Sequence, residues 1–99
     1  MKRLPLAVEP EAEADMLDAF EWYESQKLGL GHEFMDCVDD VFDRIAQNPR
    51  QFAISYREMR QALIRRFPYI VCFIIDPHRI TVIAVVHSGR DPRVWQARA

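Results

Sequence analysis

The sequence predicts an α+β sandwich: an N-terminal edge strand and an antiparallel two-helix hairpin packed on a mostly antiparallel sheet, in the order β-α-α-β-β-β with a short C-terminal segment. Three observations predict it. Apolar residues recur at helical spacing through the first half. The period changes to dense apolar runs rich in β-formers after Met59, which segregates helices from strands. The 99 residues, 49% hydrophobic and 28% charged, suffice for one core and not for two, so residues 1–99 are read as a single domain.

Residues 3–8 are short and mixed and read as an edge strand, because Pro5 cannot donate to a central ladder. Glu9-Pro10 opens a helix. Proline suits the first turn, and Glu9, Glu11, Glu13 and Asp15 complement the positive end of the helix dipole. Ala12, Met16, Ala19, Phe20 and Tyr23 form its buried stripe. Trp22 lies off that stripe and is expected to cover a margin of the core. Gly29 and Gly31 separate a second helix, whose stripe is Leu30, Phe34, Val38, Val41 and Ile45, widened by Cys37 and Phe42. Its outer face carries Asp36, Asp39, Asp40 and Asp43, and Asn48-Pro49 ends it.

Met59 to Phe67 reads as a mixed strand bearing Arg60, Arg65 and Arg66. Tyr69 to Ile75 and Arg79 to His87, joined by Asp76-Pro77-His78, read as an antiparallel hairpin. Both strands are apolar on both faces, which places them centrally and at least partly covered on each side. Strict alternation puts His87 on one face with Thr81, Ile83 and Val85. Asp91 to Ala99 is a short helix or strap anchored by Trp95, with Arg98 a solvated end.

The net charge of −2 hides an asymmetry. Residues 1–49 carry four Lys/Arg against twelve Asp/Glu, a balance of −8, and residues 50–99 carry nine Arg against three acids, a balance of +6. One face is therefore suited to an anion or an acidic partner. Cys37 and Cys72 sit inside apolar segments, outside any C-x-x-C or zinc spacing, and read as buried thiols of a reducing cytosol. No metal or cofactor is expected. No apolar run approaches the roughly 20 residues needed to span a bilayer, and Met1-Lys2-Arg3-Leu4-Pro5-Leu6 is too brief for a signal peptide. A cytoplasmic location without membrane contact is expected.

The order of elements resembles a known family when joined to Trp22-Tyr23-Glu24, Gly29-Leu30-Gly31, Phe34, Asn48-Pro49, Arg65-Arg66-Phe67-Pro68-Tyr69, and His87 through Arg90-Asp91-Pro92 to Trp95 and Arg98. The chain is similar to the RelE/ParE toxin superfamily, most of all to its plasmid stabilization branch, over essentially its whole length. The resemblance implies a growth-inhibiting toxin of a type II toxin–antitoxin system, neutralised by a cognate antitoxin whose C-terminal segment docks by a helix in a groove or by strand addition. It leaves two targets open: DNA gyrase, poisoned without enzymatic chemistry, or mRNA on the ribosome, cleaved by an endoribonuclease. A chain that has lost toxicity and only binds its partner is a third possibility.

Metal-free RNA cleavage needs a cation at the phosphorane-like transition state and a group that moves protons. Arg65 and Arg90 are the candidates for phosphate and His87 for proton transfer. The residues expected to bind target or antitoxin are Arg60, Arg65, Arg66, Arg90, Trp95 and Arg98. Three departures from the ribonuclease pattern favour the gyrase branch. No lysine follows Lys27, Ile70 stands where RelE-type enzymes place a catalytic arginine, and the chain is mildly acidic, with a pI of about 5.9.

Overall fold

A proline sets each end of the first strand. The computed structural model describes residues 3–99; Met1 and Lys2, which enter the charge balance and the leader argument, lie outside the described residues. Pro5 has no N–H, so its carbonyl alone joins the ladder, accepting from Ile80 N at 2.9 Å. Strand β1 (Leu6–Val8) is therefore shorter than the expected 3–8, and it is an edge strand as expected. Pro10 then stops the extended chain and becomes the first residue of α1 (Pro10–Gln26).

Ala12 and Ala19 of α1 are buried, and Met16 and Tyr23 pack on the core beside them. Trp22 does not cover the core margin. It is 57% exposed, its ring edge-on to Tyr23 at 5.1 Å, because its position points sideways from the stripe. Gly29 adopts φ +89°, a left-handed turn that favours glycine, and opens α2 (Leu30–Gln47). Gly31 allows the helices to approach: a Cβ there would lie 2.6 Å from the Phe20 carbonyl oxygen. Glu24 of α1 seals the junction, its carboxylate accepting from the N–H of Gly29 and of Gly31 at 2.9 Å each. The start of α2 thus finds its acceptor on the neighbouring helix rather than in a local cap. The Gly29 bond first, and the Gly31 bond with it, hold the Glu24 carboxyl below the usual glutamate range. Phe34, Val38, Val41 and Ile45 are all fully buried.

Four strands follow the helices: β2 (Ile54–Tyr56), β3 (Met59–Leu63), β4 (Tyr69–Ile75) and β5 (Ile80–His87). The sheet order is β1-β5-β4-β3-β2, antiparallel except for β1 on β5. Sequence reading missed β2 and the 3₁₀ turn Pro49–Gln51 before it. The β2–β3 loop gives the reason. Tyr56 pairs with Met59 across two residues, and the first of them, Arg57, takes the φ of +53° that such a hairpin normally assigns to glycine. With arginine there, the usual hairpin signal is absent. The expected strand over 59–67 ends at Leu63, since Arg65 and Arg66 turn the chain and Arg66 has φ +71°.

β4 and β5 are internal and covered on both faces, as expected. Toward the helices they present Val71, Phe73, Ile80, Val82 and Val85. The other face carries Met59, Ile70, Cys72, Ile83, Ala84 and Val86 beneath Trp95 of the short α3 (Arg93–Gln96). Cys72 is a free, buried thiol whose pKa desolvation pushes up to about 12, and Cys37 is free and half-buried.

The β4–β5 ladder is interrupted once. Cys72 faces Ala84 but Phe73 faces Val82, so Ile83 is an extra residue, a β-bulge. The bulge inverts the alternation beyond it. His87 stands opposite Tyr69 on the helix side, in line with Val85, and not on the face of Thr81 and Ile83 that strict alternation predicts. Among the described residues, no helix is long and apolar enough to cross a membrane.

Candidate functional site

Beyond Val82, no strand among the described residues covers the free edge of β5, because the chain has turned from β1 into α1. A groove of about 240 Å³ opens there. Asp15, Asp18, Ala19 and Trp22 of α1 form one wall, and Tyr69, Val85, His87 and Arg90 form the other. It continues into a hollow of about 400 Å³ under Trp22, Tyr23, Pro68, Tyr69 and His87. A further hollow at the C-terminal end of α2 contains none of the residues expected from sequence to bind a partner or to act in catalysis.

The aromatic side of the groove is preorganised. Tyr23 and Tyr69 each lie within about 5.5 Å of the Phe34 ring, which anchors them to the core. Burial raises the pKa of both phenols, so they remain neutral donors. His87 sits edge-on to Tyr69 at 5.4 Å, and its Nδ1 accepts from Gly89 N at 2.9 Å. A neutral imidazole accepting through Nδ1 carries its proton on Nε2. The lone pair that a base would use at Nδ1 is thus engaged by the backbone.

Of the sequence candidates, the structure brings together His87 and Arg90. Arg90 is exposed, its own N–H on the His87 carbonyl at 3.0 Å. Neither Arg90 nor the exposed Arg65 has an ion-pair partner among the described residues, and Arg65 lines neither part of the groove. Arg66 pairs with Glu33 of α2 at 3.0 Å, both side chains exposed. Arg60 is tied to the carbonyls of Phe52 (2.6 Å) and Arg50 (3.4 Å) and closes the connection after α2. Trp95 is a core residue.

Arg98 is not a solvated end. Its side chain is 19% exposed and donates to Asp15 at 2.6 Å and to the Ile83 carbonyl at 3.2 Å, with Glu11 at 3.3 Å. Asp15 in turn accepts from Val85 N at 3.0 Å. Sequence reading assigned Asp15 only to the helix dipole and passed over Asp18 and Tyr69 as site residues. Asp15 acts on groups 70 and 83 positions away, and no local pattern marks that.

A family model described as the ParE toxin of the type II toxin-antitoxin system parDE matches residues 6–92. The chain belongs to the ParE toxin family. It is a ParE-family toxin of a type II toxin–antitoxin system, a branch of the RelE/ParE superfamily. It is similar to Toxin ParE2 of Mycobacterium tuberculosis, in strains CDC 1551 / Oshkosh and ATCC 25618 / H37Rv, at 29% identity over 93 residues, covering 93% of this chain and 89% of each relative. The solved chromosomal ParDE system from P. aeruginosa has the same fold. A chain of that system superposes with a TM-score of 0.77 at 15% identity, covering 86% of this chain and 96% of its own. Membership in this family implies a cognate antitoxin as partner.

Proposed function

We propose that this ParE-family toxin inhibits growth by binding DNA gyrase rather than by cleaving RNA, and that its cognate antitoxin neutralises it by occupying the groove between α1 and the free edge of β5. The composition of that groove carries the reading. Its α1 wall is acidic, with Asp18 unpaired among the described residues, so an RNA backbone approaching Arg90 meets a carboxylate across the same cleft. The engaged Nδ1 of His87 also supports a binding surface over proton-transfer chemistry.

An antitoxin segment is better suited to the groove. Its acids would meet Arg65 and Arg66 at the nearby β3–β4 turn, outside the acidic wall, and its apolar side chains the aromatic hollow. Arg60, Trp95 and Arg98, expected from sequence to bind a partner, are each engaged internally.

The test is induction of this chain alone in a bacterial host, with labelled methionine and thymidine followed side by side over the first minutes. Arrest of DNA synthesis while translation continues, together with loss of supercoiling when purified chain is added to gyrase, is the expected result. Collapse of protein synthesis first would replace this reading with an mRNA endoribonuclease using Arg65, His87 and Arg90. Growth that continues unchanged would mean that the chain retains only partner binding.

A further inference from the structure

From Val82 to Val86, every residue of β5 is apolar and buried. Burial normally sets a strand's register, because a slip by one residue moves its apolar set to the wrong face. Here a slip exchanges one buried aliphatic side chain for another, so the apolar pattern leaves the bulged and unbulged registers of residues 83–87 weakly distinguished. The registers differ at the strand end. Only the bulged one turns His87 toward Tyr69 and the groove.

Polar groups supply the missing distinction. At the paired end of this edge, Ile80 N donates to Pro5 O and Val82 O accepts from Glu9 N. At the bulge and just past it, where β1 no longer runs, the groups that find partners outside the ladder are the Ile83 carbonyl and the Val85 N–H. Arg98 donates to the first at 3.2 Å and Asp15 accepts from the second at 3.0 Å, while the two side chains pair at 2.6 Å. One cation and one anion together provide the donor and the acceptor that a continued strand would have provided. An edge carbonyl and N–H left half-buried without them would each incur a desolvation penalty.

We propose that the Asp15–Arg98 pair is a register lock: it selects the bulged form of β5 and thereby positions His87 and Arg90 in the groove. Asp15 and Arg98 are positioning residues in this account, which rests on the groove being the toxin's working surface. Because Arg98 follows α3, the lock also ties the tail on one face of the sheet to the groove on the other side.

The test is magnetic resonance on the purified full-length chain and its Arg98→Ala, Arg98→Lys and Asp15→Asn variants, with growth inhibition measured in parallel. Three results are expected for Arg98→Ala. Exchange of the Val85 amide accelerates at least about tenfold relative to that of Ile80, cross-peaks between the His87 and Tyr69 rings disappear, and growth inhibition falls. Arg98→Lys, which keeps the charge, restores the cross-peaks. If Arg98→Ala does not fold, the near-isosteric Asp15→Asn carries the decision with the same readouts. Retention of both the Val85 protection and the ring cross-peaks in folded variants overturns the lock. Loss of the ring contact with growth inhibition intact supports the lock and overturns the groove as the working surface.

Discussion

The two faces of the sheet are covered by very different means. On one side, α1 and α2 lay continuous stripes over Val71, Phe73 and Val82, with Phe34 at the centre of an aromatic cluster. On the other, Met59, Cys72, Ala84 and Val86 lie beneath the four-residue α3 with one large buried side chain, Trp95, and the partly buried Tyr56 and Ile74 at their margin. Both faces are buried, but the first spreads its burial over two long helices and the second relies mainly on one anchor. Loss of a side chain on the helix face should therefore be felt throughout the molecule, and loss of Trp95 first of all locally.

The largest effect should come from Phe34→Ala. A fully buried phenylalanine replaced by alanine costs about 3–5 kcal/mol, out of the roughly 5–15 kcal/mol by which domains of this size are stable. The denaturant midpoint should fall accordingly, with every probe reporting one transition. Trp95→Ala should cost about 3 kcal/mol, near the lower end of the range for such truncations, because a chain end can partly collapse onto the vacated site. Its sharper signature is chemical. In the parent chain a thiol reagent near pH 8 should label half-buried Cys37 well before Cys72, whose pKa burial lifts to about 12. In Trp95→Ala the two rates should converge when read by mass spectrometry; a Cys72 that stays inert would show that the tail face does not depend on its anchor.

Two smaller changes probe the hairpin that covers the helix face. Gly31→Ala places a methyl group against the Phe20 backbone, where flexible side chains cannot relieve the contact, and should cost about 1–3 kcal/mol through separation of α1 from α2. Glu24→Gln should act mainly through pH. The folded-state carboxyl lies below its unfolded value, so its stabilisation is complete above the unfolded range and disappears as pH falls through the folded value. The parent should lose thermal stability through the acid carboxylate range more steeply than Glu24→Gln, and parallel curves would remove Glu24 from the account of that junction.

The fold was legible wherever a local pattern carried the information. The α2 stripe of Phe34, Val38, Val41 and Ile45 is fully buried, and β4 and β5 stand at the centre of the sheet, covered on both sides. β2 was illegible because three residues make a faint pattern and Arg57 occupies the position where a glycine would have announced the hairpin. The candidate groove was legible in part. His87 and Arg90 do meet at one groove, yet the face of His87 was misread because the bulge at Ile83 breaks the alternation. Arg98 looked like a free end because its partners, Asp15 and the Ile83 carbonyl, lie far away in the chain.

By itself the sequence determined the α+β class, the two helices, the central strands, the burial of the core and the resemblance that the ParE family match bears out. These rest on residue spacing and composition, which act over one or two turns of helix or a few residues of strand. Only the tertiary structure decided the register at the end of β5, the groove that it shapes, and the engagement of Asp15 with Arg98. A run of equally apolar residues cannot choose its own alternation. That choice depended on a donor and an acceptor arriving from opposite ends of the chain.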